Sequence, residues 1–205
     1  MKKYLYFSIL ACMMITYSNI RAQQTNNTQF KTKILQVFQN LNKNRIPHGV
    51  LLDFGMEFTN INAFNGIPTD STYTTSQTIS DVYKTLLMSR ARQVNTGFIS
   101  PQEYATRWFT QRSEGIVILS GQYFKYSKFR DDAYPSKINY FNNQFSDKYI
   151  GGVWQNPYEE KQLFVMAPSV TKHKGLNFKT KIPSNLFFSN YPTSIQTIQI
   201  NLALV

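Results

Sequence analysis

The apolar positions of this chain follow two regimes, helical spacing first and strand-like alternation later, with the change near residue 113. Phe30, Ile34, Val37, Phe38 and Leu41 recur at intervals of three and four, which predicts an amphipathic helix ending near Asn44 with Thr28 as its N-cap. Pro47 and Gly49 interrupt it, and Val50, Leu51, Leu52, Phe54 and Phe58 then form an apolar run that suits a short strand or a buried turn. A Thr-, Ser- and Asn-rich loop over 60–77 precedes a second stripe, Ile79, Val82, Tyr83, Leu86 and Leu87, with Gly97 at the expected stop. Ser100-Pro101-Gln102-Glu103 supplies a capping Ser, a Pro at the first helical position and a Glu three residues after the cap. A third helix is therefore predicted over 101–112, with Tyr104, Trp108 and Phe109 facing inward.

From Gly115 onward β-branched and aromatic residues dominate, as in Ile116-Val117-Ile118-Leu119 and then Tyr123, Phe124, Tyr126 and Phe129, so strands take over. Residues 131–135 and 142–147 read as loops, and 163–166, 176–182 and 195–205 as further strands. Leu176, Phe178, Thr180 and Ile182 would share one face with Lys179 and Lys181 on the other, and Ile198, Ile200, Leu202 and Leu204 would share a face in the last strand. The expected fold is α+β: a helix-rich portion over 23–112 and an antiparallel, sandwich-like β-rich portion over 113–205. Because the pattern runs to Leu202-Ala203-Leu204-Val205 with no polar tail, the β-rich portion is expected to be incomplete and the chain a fragment of a longer protein.

The first residues change the picture of where this fold works. Lys2 and Lys3 precede an uncharged apolar run from 4 to 17, a polar stretch follows, and Ala22 offers a small residue for cleavage, so 1–22 reads as an export signal. The run is shorter than the roughly 20 residues of a spanning helix. An alternative is lipidation at Cys12, since Ile9-Leu10-Ala11-Cys12 loosely matches a bacterial lipobox, and only in that case is membrane attachment expected. Cleavage after Ala22 would leave a chain without cysteine, hence without disulfides, thiolate metal sites or a Cys nucleophile. It would also remove Lys2, Lys3 and Arg21, which takes the formal charge of +11 down by three to +8. The remaining bases are scattered, with small groups at Lys172-His173-Lys174 and between Arg107 and Arg112, and read as a solvated basic surface with no nucleic-acid partner. With 16 Phe and 13 Tyr the chain has ample material for a core.

The Ala22-Gln23 junction, the Asn-, Tyr-, Phe- and Lys-rich composition and the segment Arg45-Ile-Pro-His-Gly-Val-Leu-Leu-Asp-Phe-Gly-Met-Glu-Phe resemble the N-terminal region of large exported proteins of Bacteroidetes-type bacteria. The resemblance implies a periplasmic, outer-membrane or extracellular setting, with chemistry residing downstream, and it assigns no catalytic residue.

Candidate chemistry is sparse. Asp53-Phe54-Gly55 matches a kinase tripeptide without the Gly-rich loop or His-Arg-Asp segment that would give it meaning, and no Walker A motif, dinucleotide fingerprint, nucleophile elbow or His-Glu-x-x-His occurs. His48, Asp53 and Glu57 are the best candidates for acid, base or orienting roles, against a plainer alternative in which both carboxylates pair with Arg45 or Lys43. His173 falls in a turn, two His make a zinc site unexpected, and Asp131-Asp132 lacks calcium-loop spacing, so no metal or cofactor is expected. Tyr123, Tyr126, Tyr140, Tyr149, Trp154 and Tyr158 lie in or between the strands and could stack on a sugar, with Tyr123, Tyr126, Trp154 and Tyr158 the four ligand-binding candidates and core packing the alternative. The pattern as a whole points to an exported, non-catalytic module for adhesion, ligand contact or support of a further domain. Its expected partner is a polysaccharide or another cell-envelope protein. The rival expectation is the N-terminal part of a secreted hydrolase working through His48, Asp53 and Glu57.

Overall fold

The local signals at the helix starts act as their residue types dictate. Thr75 and Ser100 each turn a side-chain oxygen onto the backbone N–H three residues ahead, Thr78 N and Glu103 N, both at 3.1 Å. These caps open α2 (Ser76–Met88) and α3 (Pro101–Thr110). An earlier helix, α1, covers 31–37 and gives way to a turn, so it ends well before Asn44. The computed structural model describes residues 29, 31–52, 75–92, 98–168 and 179–198. Residues 1–22, expected to be an export signal, Thr28, Asp53, Glu57, Gly97, Lys172-His173-Lys174, expected to be a turn, and residues 199–205 lie outside the described residues.

The β-rich half is organised around one long strand, β1 (Ile116–Phe129). Two hairpins follow: β2 (Ile138–Phe141) with β3 (Gln144–Asp147), and β4 (Tyr149–Ile150) with β5 (Val153–Trp154). The chain then returns as β6 (Tyr158–Pro168), antiparallel to β1 from Leu119↔Pro168 to Phe129↔Tyr158. Short strands β7 (Lys179–Lys181) and β8 (Phe187–Ser189) lie parallel to β1 on its other edge, so the sheet is mixed and open, where the sequence suggested an antiparallel one. Alternation reports which face a residue occupies and carries no information on strand direction, which is why the parallel pairings were hidden. Residues 195–198, expected to begin a last strand, carry no strand pairing.

One face of the sheet meets α2 and α3. Ile118, Phe124, Tyr126, Leu163, Ala167 and Phe188 pack there against Ile79, Val82, Tyr83, Leu86, Tyr104 and Trp108, so helical and β-rich portions share one apolar core. Phe109, expected inside, is 71% exposed. Tyr104 and Trp108 are four residues apart on one stripe of α3, whereas Phe109 lies about 100° further round. Polar groups buried in this core bind across the layers. The Tyr83 hydroxyl donates to Ile99 O (2.8 Å) and accepts from Ile99 N (2.7 Å), and its ring stacks on Tyr104 at 4.9 Å. Burial pushes the Tyr83 phenol up to about 12, so it stays protonated and able to donate. Ser120 Oγ meets Tyr104 OH (3.1 Å) and donates to Leu186 O (3.0 Å), while Gln122 Nε2 donates to Ile79 O (2.8 Å). On the opposite face, a Cβ at Gly121 would lie 2.6 Å from the Phe187 ring, so only glycine lets β8 approach there.

A second apolar cluster gathers Phe38, Leu41, Ile46, Leu51, Ala133, Ile138 and Tyr158, with Phe129, Phe145 and Trp154 against it. The 50–52 segment lies between the two clusters: Val50 and Leu52 belong to the first and Leu51 to the second. Its backbone ties both sides, with Leu51 N donating to Ser89 O (2.9 Å) and Ser127 N donating to Val50 O (2.8 Å).

Both hairpin turns are two residues long with positive φ throughout, Asn142 and Asn143 at 48° and 59°, Gly151 and Gly152 at 56° and 79°. That is the geometry of a tight hairpin turn matched to strand twist, which Asn and Gly alone accept cheaply. Residues 142–147 are thus a turn followed by β3, not one loop. Residues 131–135, expected to be a loop, run into a turn closed by Lys137 N donating to Ala133 O (2.7 Å), with Tyr134 extended inside it.

Candidate functional site

His48 is half-buried in the turn after α1, and its Nε2 lies 2.8 Å from Glu160 Oε2 on β6. The second carboxylate oxygen, Oε1, is 3.2 Å from Lys125 Nζ on β1. The Lys125 ammonium sits 4.2 Å above the Tyr191 ring, whose edge faces the His48 ring at 5.7 Å. Asn190 closes the group: its Nδ2 donates to Lys125 O (2.7 Å) and His48 O (3.4 Å), and its Oδ1 accepts from Lys125 N (2.9 Å).

Burial pushes the Glu160 carboxyl up, yet the hydrogen bonds from His48 and Lys125 outweigh it and hold the carboxyl below its ordinary range. The hydrogen bond to Glu160 raises Lys125. A carboxylate held ionised with both oxygens occupied, beside an ammonium held protonated, gives neither Glu160 nor Lys125 a proton to exchange near neutrality. The arrangement clamps the 46–50 turn to β1, β6 and the 190–191 turn. Because the folded Glu160 value is depressed, its contribution is complete above the unfolded value, about 4.3, and disappears as pH falls through the folded value. Lys125 has the opposite sign: its share is complete below 10.5 and is lost as pH rises above that. Urea midpoints for wild type and Glu160→Gln should therefore differ from pH 6 to 9 and converge as pH drops below about 4. A gap that persists or widens in acid would refute the clamp.

Of the residues expected to act with His48, Asp53 and Glu57 lie outside the described residues, and the carboxylate that His48 meets is Glu160, 112 residues away. The plainer alternative, in which Asp53 and Glu57 pair with Arg45 or Lys43, involves the same two residues outside the described ones; among the described residues Arg45 pairs with Asp147 at 3.8 Å. Strand alternation does put Glu160 on the face of Lys125, but the β1–β6 register that joins them is set by the whole ladder.

The four aromatic candidates divide. Tyr126 is in the core beneath α2 and α3; Tyr123 is buried with its hydroxyl donating to Gln162 Oε1 (2.9 Å); Tyr158 is buried between Phe129 and Trp154. None of these three presents a ring face for stacking. Trp154 is half-buried, and its face is covered by the Arg45 guanidinium at 4.1 Å.

The exposed aromatics are neighbours of those four. Of the eight large apolar residues exposed among the described residues, six lie between 134 and 153: Tyr134, Tyr140, Phe141, Tyr149, Ile150 and Val153. Tyr140 pairs across β2–β3 with Phe145, ring centres 4.8 Å apart, and Tyr134 meets both rings edge-on. In the next hairpin Ile150 pairs with Val153 and Tyr149 with Trp154, while Arg45 Nη2 donates to Tyr149 OH (2.9 Å). The nearly buried Asp147 carboxylate fixes this region: Oδ2 accepts from Asn42 N (2.9 Å), Oδ1 from Trp154 Nε1 (3.2 Å), and Arg45 pairs with it. Asn139, Asn142, Asn143 and Gln144 lie between the exposed rings and add amide donors and acceptors.

Among the described residues no group of three His, Cys, Asp or Glu side chains could hold a metal ion, and no helix is long and apolar enough to cross a membrane. Comparison with protein-family models, with curated proteins and with solved structures finds no match.

Proposed function

We propose that the chain is an exported, non-catalytic binding module that contacts polysaccharide through the two hairpins of 134–154. The observation that carries this reading is the gathering of six of the eight exposed large apolar residues on that one stretch. Exposed apolar side chains concentrated on one stretch of chain suit an interaction site, and rings flanked by amide side chains suit sugars, which offer apolar faces rimmed by hydroxyls. Support for export comes from the charged and apolar pattern of 1–22. The sandwich-like reading of the β-rich portion is supported by the unbroken burial of 117–124 in β1, which requires cover on both faces of the strand.

The test is affinity electrophoresis of the protein lacking 1–22 in gels containing soluble xylan or mixed-linkage glucan. Tyr140→Ala and Phe141→Ala should each weaken retardation by about tenfold, the equivalent of one lost ring contact. Phe109→Ala, which removes an exposed ring on α3, should leave it unchanged. No retardation by any glycan, together with capture of an envelope protein that the same two substitutions abolish, would move the surface to a protein partner.

A further inference from the structure

The described residues leave six buried polar side-chain atoms without a hydrogen-bond partner, and three of them fall within four consecutive residues: Ser89 Oγ, Arg90 Nε and Arg92 Nε. Native structures leave few such groups, and a concentration of them marks a place where a water or an ion completes the bonding. Their setting is basic. Arg90 follows the end of α2, and its guanidinium lies 5.1 Å from the centre of the Phe98 ring. Arg92 is held from behind, Nη1 donating to Asn44 Oδ1 (3.0 Å) and Nη2 to Pro47 O (3.3 Å). Lys31 reaches the same helix end, with Nζ 3.5 Å from Leu87 O. Burial lowers the Lys31 pKa, and repulsion from Arg90 lowers it further, so these two charges sense each other.

No carboxylate among the described residues answers these cations. Of the eight described Asp and Glu residues, seven form ion pairs with other partners and the eighth, Glu114, is exposed. Part of the cluster is explained by the helix end, where cations are favoured by the carbonyl dipoles. That accounts for Lys31 on Leu87 O but leaves the two Arg Nε donors unused. Two half-buried cations that repel each other, Lys31 and Arg90, with Arg92 two residues further on and both Arg Nε donors free, suit an anion, and the Arg fork fits oxyanions geometrically.

We propose that Lys31, Arg90 and Arg92 form a binding site for a tetrahedral oxyanion, a phosphate or sulfate group. The proposal is independent of the aromatic hairpins, whose failure to bind glycan would leave it untouched. Three cations with no counter-charge among the described residues favour a dianion over a single carboxylate, and Arg92 is already oriented by Asn44 and Pro47, so little ordering is left to the ligand.

The test is calorimetric titration of the protein with inorganic phosphate and with glucose 6-phosphate, chloride being used to match ionic strength. Wild type is expected to bind, and Arg90→Gln, which keeps the side-chain stem and drops the charge, to bind at least about tenfold more weakly. Lys31→Gln, which alters only the outer cation, should weaken binding by about threefold to tenfold and serves if Arg90→Gln does not fold. Lys179→Gln, on exposed β7, should match wild type. Tighter binding of glucose 6-phosphate would place the group on a sugar, and equal binding would indicate the free anion; both keep the site. Equal affinities in wild type, Arg90→Gln and Lys31→Gln would overturn it, as would absence of binding to wild type. So would a wild type that is silent while Asp53→Asn/Glu57→Gln binds, because the occupant would then be the chain's own carboxylate.

Discussion

Tyr83→Ala is expected to be the most damaging single substitution considered, with a loss of about 4 kcal/mol of stability. The ring is buried against Tyr104, Phe98 and Phe188, so truncation opens a cavity between α2, α3 and the sheet. Tyr83→Phe separates the two roles of the side chain. It keeps the packing but leaves both the N–H and the C=O of Ile99 without their partner, which should cost about 1 to 3 kcal/mol. Urea unfolding of the two variants measures the difference. If Tyr83→Phe matched wild type, the paired bonds to Ile99 would be contributing nothing.

Asp147→Ala is expected to lose about 2 to 4 kcal/mol and, with it, most glycan retardation. The carboxylate is nearly buried, accepts two hydrogen bonds and faces one cation, so removal leaves Asn42 N and Trp154 Nε1 without their acceptor and the Arg45 guanidinium without its counter-charge. Arg45 is about one quarter exposed, so water takes over part of its share, and the figure is set below that of a fully enclosed pair. The binding loss follows from position, because Arg45 and Trp154 hold Tyr149 in place. Asp147→Asn should retain the acceptor for one of the two donors and fall between wild type and Asp147→Ala. Stability at the Ala level together with unaltered retardation would detach the clamp from the binding surface.

The elements were legible where one local rule decides. Ser100-Pro101-Gln102-Glu103 announces the start of α3, and the stripe from Ile79 to Leu86 announces the buried face of α2, because caps and helical periodicity depend only on near neighbours. The hairpin turn at Asn142-Asn143 was concealed, since a polar run reads as loop until positive φ at both residues is known. Parallel pairing of β7 and β8 with β1 was also invisible, as was the Glu160 partner of His48: each depends on strand direction and register, which are settled over the whole sheet. For the aromatics, residue type alone pointed at Tyr126 and Tyr158, although the side of the strand decides which rings meet water. Tyr140 and Tyr149 belong to the same dense stretch and are the ones left outside.

The three-residue stretch 50–52 has a consequence for how this molecule comes apart. Its side chains alternate between the two apolar clusters, and its amides and carbonyls are bonded to Ser89 on one side and Ser127 on the other. β1 reinforces the link, with Phe124 in the first cluster and Phe129 packed against the second. Neither cluster can be opened without stripping a wall from its neighbour, so the two should melt in one cooperative step, and the slow-exchanging amides of Leu51 and Ser127 should report the same opening free energy.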